Sequence, residues 1–143
     1  MGGKAMREIK FRGRSVDSDE LVYGNYLGKC DEDESYDCIE SVTYIDGAPN
    51  FHVRYAVFRE TVGQYTGMND CNNVEIYDGD ICVDAKGNVI RIVWSNTHQW
   101  GCKVIKADNF SIRGLTFPLW QWDDDRKFKK VGNIHENPEL MEG

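Results

Sequence analysis

The sequence predicts a mainly β protein with at most short helical turns, and two observations carry that expectation. Helical periodicity is hard to find anywhere, while short β-branched and aromatic runs separated by Gly, Asn and Asp recur from end to end. Hydrophobic residues make up 41% and aromatics 12% of the 143 residues, which is enough to offset chain entropy and argues against wholesale disorder. One domain or two small subdomains fit this length.

Candidate strands run over 7–12, 21–28, 36–45, 51–58, 80–85, 88–95, 99–107, 110–115 and 127–134. The joints between them have stated causes. Lys86-Gly87-Asn88 is the best hairpin turn, because Gly and Asn tolerate positive φ. After it Ile90, Ile92 and Trp94 point one way and Arg91 the other, and Trp100, Cys102 and Val104 repeat the alternation. Asp46-Gly47-Ala48-Pro49-Asn50 reads as a second turn, slightly long for a tight hairpin. The run Asp31-Glu32-Asp33-Glu34 is a third, a solvated loop, since four like charges that close cannot be buried together. Asn137-Pro138-Glu139-Leu140 has the grammar of a helix start with room for about one turn.

Charge is segregated. The chain carries 17 basic and 24 acidic residues, a net charge of −7. The excess of acids lies wholly before Gly79, and the remainder balances. A net negative surface repels phosphate backbones, which lowers the expectation of non-specific nucleic-acid binding without excluding a local basic patch. Residues 1–5, Met-Gly-Gly-Lys-Ala, read as a cloning leader before a start at Met6. Five cysteines, odd in number and without a C-x-x-C pair, read as reduced thiols. No apolar run is long enough to span a bilayer and no signal peptide is visible, so the expected location is the cytoplasm, with no membrane partner.

Chemistry-bearing patterns are weak throughout. Asp78 and Asp80 flank Gly79, a pair that would bind a cation only if further ligands converged; a turn with Asp80 accepting backbone N–H groups is the simpler reading. His98 and Cys102 lack the ligand number that structural zinc needs. Asp123-Asp124-Asp125 is followed by Arg126-Lys127, which interrupts a calcium-loop pattern. No phosphate-cradling glycine motif or nucleophile elbow occurs. The expectation is no enzyme, no cofactor and no metal.

The most distinctive words are Glu60-Thr61-Val62-Gly63-Gln64-Tyr65-Thr66-Gly67-Met68 and Glu75-Ile76-Tyr77-Asp78-Gly79-Asp80-Ile81. With Met6-Arg7-Glu8-Ile9-Lys10-Phe11-Arg12-Gly13, the Tyr23–Tyr26 segment and Val131-Gly132-Asn133-Ile134-His135-Glu136-Asn137-Pro138-Glu139-Leu140, the chain resembles the YopX family of phage and prophage proteins from Met6 to Leu140. The resemblance implies an accessory protein of a temperate phage, working in the cytoplasm of the bacterial host, and brings no catalytic residues. It also implies a small acidic β-rich N-terminal part over 6–61 and an SH3-like small β-barrel over 62–143. Two departures stand out: Arg59 sits where members often have Pro, and Cys71-Asn72-Asn73 replaces a Lys-Asn-Gly-like turn.

Gln64 and Tyr65 lie between two glycines, a binding loop on one reading and on the other a tight linker whose Tyr65 plugs the barrel; the usual packing roles of Gly and Tyr favour the linker. The four tryptophans fall between Trp94 and Trp122. Most of them are expected to fill the barrel, with Trp120 and Trp122 the pair expected to be partly exposed. The candidate interaction surface is therefore Asp31, Glu32, Asp33, Glu34, Gln64, Tyr65, Trp120 and Trp122. Two function classes follow: an interaction module for a phage or host protein, ranked first, and a nucleic-acid-associated module offering Lys127, Lys129 and Lys130 to phosphates. Self-association through edge strands is a further expectation.

Overall fold

The computed structural model of the chain describes residues 9–30, 35–95, 99–119 and 128–142, with backbone alone for Tyr44, Pro49 and Asn50. Among the described residues eleven strands and three short 3-10 turns make it mainly β. The chain divides into two compact units, Met1–Tyr65 and Thr66–Gly143.

The first unit contains β1 (Phe11–Arg14), β2 (Leu21–Lys29), β3 (Tyr36–Ile45), β4 (Ala48–Phe58) and the start of β5 (Gly63–Asn69), antiparallel in the order β4-β3-β2-β1-β5. The turn joining β3 to β4 is only Asp46-Gly47, shorter than the five-residue turn expected, because both residues take positive φ (52° and 81°) and Ile45 pairs directly with Ala48. Two consecutive positive-φ residues match the twist of the flanking strands. Ile39 and Val57 are fully buried, and Gly13 lies against both. Gly24 leaves no room for a side chain, since a Cβ there would run into the Glu40 carbonyl. Between β4 and β5, the 3-10 turn Arg59–Thr61 is fixed by Thr61, whose Oγ1 accepts the Arg14 N–H at 2.8 Å and donates to the Phe58 carbonyl at 2.6 Å.

A buried carboxylate ties this sheet together. Asp37 on β3 is 1% exposed; it accepts the Tyr26 hydroxyl at 2.6 Å and the Arg59 Nε at 2.9 Å. Burial works to raise its pKa, but the bonds from Tyr26 and Arg59 outweigh it and hold the carboxyl below its ordinary value. The same bond to Asp37 pushes the Tyr26 hydroxyl up.

The second unit continues β5 and adds β6 (Glu75–Tyr77), β7 (Asp80–Val83), β8 (Val89–Trp94), β9 (Trp100–Lys106), β10 (Thr116–Pro118) and β11 (Lys129–Asn133). The latter five form an antiparallel sheet ordered β10-β9-β8-β7-β11. Ile76, Cys82, Ile90, Ile92, Cys102, Val104, Leu119 and Phe128 form its core. Among the described residues β10 and β11 are not paired with each other, so the implied SH3-like barrel is not seen closed. β10 is three residues long and ends in Pro118, which has no N–H to extend a ladder.

Four expectations change. Gly63–Asn69 is strand β5, neither linker nor loop, and Glu75–Tyr77 is strand β6. Residues 110–115, expected as a strand, hold the 3-10 turn Phe110–Ile112 instead, because the Asn109 side chain accepts the Ser111 N–H and closes a turn. The first strand begins at Phe11 within the described residues. The Asn137-Pro138 signal does start a single 3-10 turn, Pro138–Met141.

Two outcomes test this account of the first unit. Gly24→Ala should lower stability in urea unfolding by about 1–3 kcal/mol, the usual cost of forcing atoms into occupied space. Because the Asp37 pKa is lower folded than unfolded, its contribution is present above the unfolded value near 3.8 and lost as pH falls through the folded one. Asp37→Asn should therefore be less stable at neutral pH and show a weaker loss of stability on acidification, followed by urea unfolding at stepped pH; equal pH dependence in the two proteins would contradict it.

Candidate functional site

At the far end of the β8–β9 hairpin the sheet runs beyond its core. Trp94 and Trp100 are cross-strand partners, packed edge to face at 5.1 Å between ring centroids. Trp94 is 53% exposed although it shares a face with Ile90 and Ile92. The Ser95 N–H donates to the Gln99 carbonyl at 2.8 Å. Gly101 allows β10 to lie close, since a Cβ there would stand 2.9 Å from the Thr116 methyl carbon. These elements leave a cleft of about 370 Å3 lined by Val93, Trp94, Phe117 and Pro118, with Ser95, Gln99 and Thr116 as its polar groups. None of the described lining residues is ionisable. The Trp100 Nε1 is buried with no acceptor among the described residues.

A second cleft, of about 450 Å3, lies on the first unit where β2 meets β3, bordered by Lys10, Tyr23, Asn25 and Glu40. Glu40 receives His52 Nδ1 at 3.1 Å and Arg54 Nε at 3.0 Å. Those two bonds, His52 foremost, hold its carboxyl below the ordinary value against the opposing effect of burial. A carboxylate committed to an imidazole and a guanidinium is a poor general base, because its affinity for protons is reduced.

Two carboxylates inside the second unit, Asp80 and Asp70, are also committed. Asp80, with no exposed surface, accepts the Tyr77 N–H at 2.7 Å, and the Lys130 ammonium stands 3.0 Å from the same oxygen. Lys130 also donates to the Glu75 carbonyl at 3.1 Å. It is thus turned into the protein, contrary to the expectation that it faces phosphates. Asp70 accepts the Asn72, Val74 and Lys130 N–H groups; burial works to raise its pKa, but these donors outweigh it and hold it low. Among the described residues no three His, Cys, Asp or Glu side chains converge as metal ligands would.

The residues singled out by sequence divide between described and undescribed positions. Tyr65 is only 7% exposed, with its N–H bonded to the Lys10 carbonyl and the Lys10 ammonium 5.8 Å from the ring centroid. Gln64 is half-buried opposite Phe11. Asp31, Glu32, Asp33, Glu34, Trp120, Trp122 and His98 lie outside the described residues. Strand alternation alone sends Trp94 inward with Ile90 and Ile92, and alternation cannot tell where a strand outruns its core. The other family words prove to be structural joints: the Ile134 N–H donates to the Gly79 carbonyl at 2.9 Å, and Thr66 Oγ1 to the Ile76 carbonyl at 2.8 Å.

No helix in the described residues is long and apolar enough to cross a membrane. None of the curated proteins matches this chain. A crystal structure of protein EF1440 from Enterococcus faecalis is similar in fold: TM-score 0.55, 24% identity, covering 96% of this chain and 100% of that one. The family model described as YopX protein matches residues 10–142, and with nearly the whole chain matched the protein belongs to the YopX family.

Proposed function

We propose that this chain is a phage or prophage accessory protein that acts in the bacterial host cytoplasm by binding a phage or host protein, without catalysing a reaction. One observation supports this above others: the cleft around Trp94, whose described lining is uncharged and in which a half-exposed indole, Phe117 and Pro118 stand beside hydroxyl and amide groups. A large rigid aromatic side chain with polar neighbours is the usual anchor for an extended peptide segment, because it contributes contact area at small entropic cost. The ionisable groups that a catalytic site would need at unusual pKa values are instead consumed by internal ties: Asp37 by Tyr26 and Arg59, Asp70 by three backbone donors, Asp80 by Lys130.

On this reading the second unit works as an SH3-like recognition fold and the acidic run Asp31–Glu34 adds charge selectivity toward a basic partner. Partner identification by capture from lysate of a phage-carrying bacterium, with nuclease present, supplies the binding assay. Trp94→Ala should then weaken the purified complex by about tenfold or more, the effect of losing an aromatic anchor, while leaving the melting curve near wild type. Neutralising Asp31, Glu32, Asp33 and Glu34 should mainly slow association and flatten its salt dependence. Unchanged affinity in the Trp94 variant would remove the cleft from the function.

A further inference from the structure

The outward face of the second unit's sheet has a charge pattern opposite to that of the chain. Ile90, Ile92, Cys82, Cys102 and Val104 point into the core. Alternation then sends the intervening ladder residues to the other face. Arg91 and Lys103 are direct cross-strand partners there. In the next row Lys129 pairs with Val83, Val83 with Val89, and Val89 with Lys106, the register shift between Val89 and Ile90 bringing Lys106 outward. The remaining outward positions are Val93, Gly101, Thr116, Pro118, Gly132 and Ile81. Four cations and no carboxylate therefore occupy these positions in a chain whose net charge is −7.

These cations are unspent. Lys103 and Lys129 are exposed, and Arg91 and Lys106 are half-buried. None of the four makes an ion pair with a described carboxylate, in contrast to Arg59, Arg54 and Lys130. The Arg91 Nε is buried with no acceptor among the described residues. Like charges placed directly opposite each other destabilise a ladder, and an anion bridging them removes that cost. Ile81 and Gly101 are buried, so the face is covered at those points of β7 and β9; Lys103, Thr116 and Lys129 are exposed, and Val89, Arg91, Val93, Lys106 and Pro118 are half-buried.

From this charge complementarity we propose that the outward β8–β9 face, with Arg91, Lys103, Lys106 and Lys129, binds the phosphate backbone of a nucleic-acid duplex. Duplex is favoured over single strand because the outward ladder positions carry no aromatic ring for bases to stack on; Trp94 and Trp100 belong to the opposite face. Neighbouring strands lie about 4.8 Å apart, so the row from Lys129 to Lys106 spans about 14 Å, enough to meet two or more phosphates. The negative net charge does not prevent this at physiological salt, where fields from distant charges are screened beyond about 8 Å. The Trp94 cleft meets this face at Val93, Thr116 and Pro118, but none of the four cations lines it, and either site could fail without the other.

Fluorescence anisotropy with a labelled duplex of about 20 base pairs tests it, read at about 50 mM and about 200 mM salt. The full chain should bind at the lower salt and lose roughly a hundredfold in affinity at the higher, as four neutralised phosphates require. Lys103→Glu and Lys129→Glu should each weaken binding and reduce the salt slope by about 1, with Lys103→Gln and Lys129→Gln giving the same slope change without charge reversal. No binding at low salt, binding indifferent to Lys103 and Lys129, or tighter binding to a single strand of equal length would each overturn the proposal. So would capture of polyglutamate, anionic vesicles or a second copy of this chain by the same lysines in place of duplex.

Discussion

Asp80 has no exposed surface, and a charge in such a place persists only when it is both paired and hydrogen-bonded. Its carboxylate accepts the Tyr77 N–H, closing the turn between β6 and β7, and faces the Lys130 ammonium on β11. The Gly79 N–H in the same turn donates to Ile92 on β8, and the Gly79 carbonyl accepts from Ile134 just past β11. One four-residue turn thereby fixes the positions of β6, β7, β8 and the end of β11. Gly79 takes φ of 87°, so a residue with a side chain would be strained there, although its Cβ would meet Ile134 only at ordinary contact distance, 3.5 Å. The strongest family word, Glu75–Ile81, is legible as this joint and needs no catalytic explanation.

The first unit solves the same problem with a thinner core. Among the described residues Ile39 and Val57 are its fully buried aliphatic side chains, and its exposed positions include Tyr23, Leu27, Ile45 and Phe51. A sheet with so little apolar burial depends on specific polar ties, and Asp37 supplies one by joining Tyr26 on β2 to Arg59 beyond β4. Arg59 is also the position at which the resemblance implies that family members often have Pro. The departure has a local consequence: a guanidinium available to neutralise Asp37, which a Pro could not provide. An Asp37 without that partner would be a buried carboxylate held by one hydroxyl, a costly state.

What the sequence made legible was the local part of the fold. The strand expected over 36–45 is β3 residue for residue, and the inward sets on β8 and β9 followed from alternation. Strand β5 was hidden because Gly63 and Gly67 are poor strand formers, and its place comes from pairing with β1, a contact distant in sequence. The turn at Phe110–Ile112 was hidden for the opposite reason: Phe, Ile and Leu suggest a strand, whereas a single Asn109 side-chain bond decides the conformation. Trp94 shows a third kind of failure, since exposure at a strand's end depends on how far the core extends.

The cations illustrate most clearly why a surface cannot be read from runs of residues. Lys129 and Lys130 are adjacent in sequence and look like one patch. In a strand, consecutive side chains leave on opposite faces, so Lys129 goes out to solvent while Lys130 crosses the core side to Asp80. Arg91 and Lys103 stand twelve positions apart in the sequence and look unrelated, yet the β8–β9 register sets them side by side. A register slipped by one residue would send both inward and bring Ile90 and Val104 to the surface, which the apolar core forbids. The packing of Ile90, Ile92, Cys102 and Val104 is therefore also what assembles the basic face, and net charge, which averages over both faces of both units, has no means of showing it.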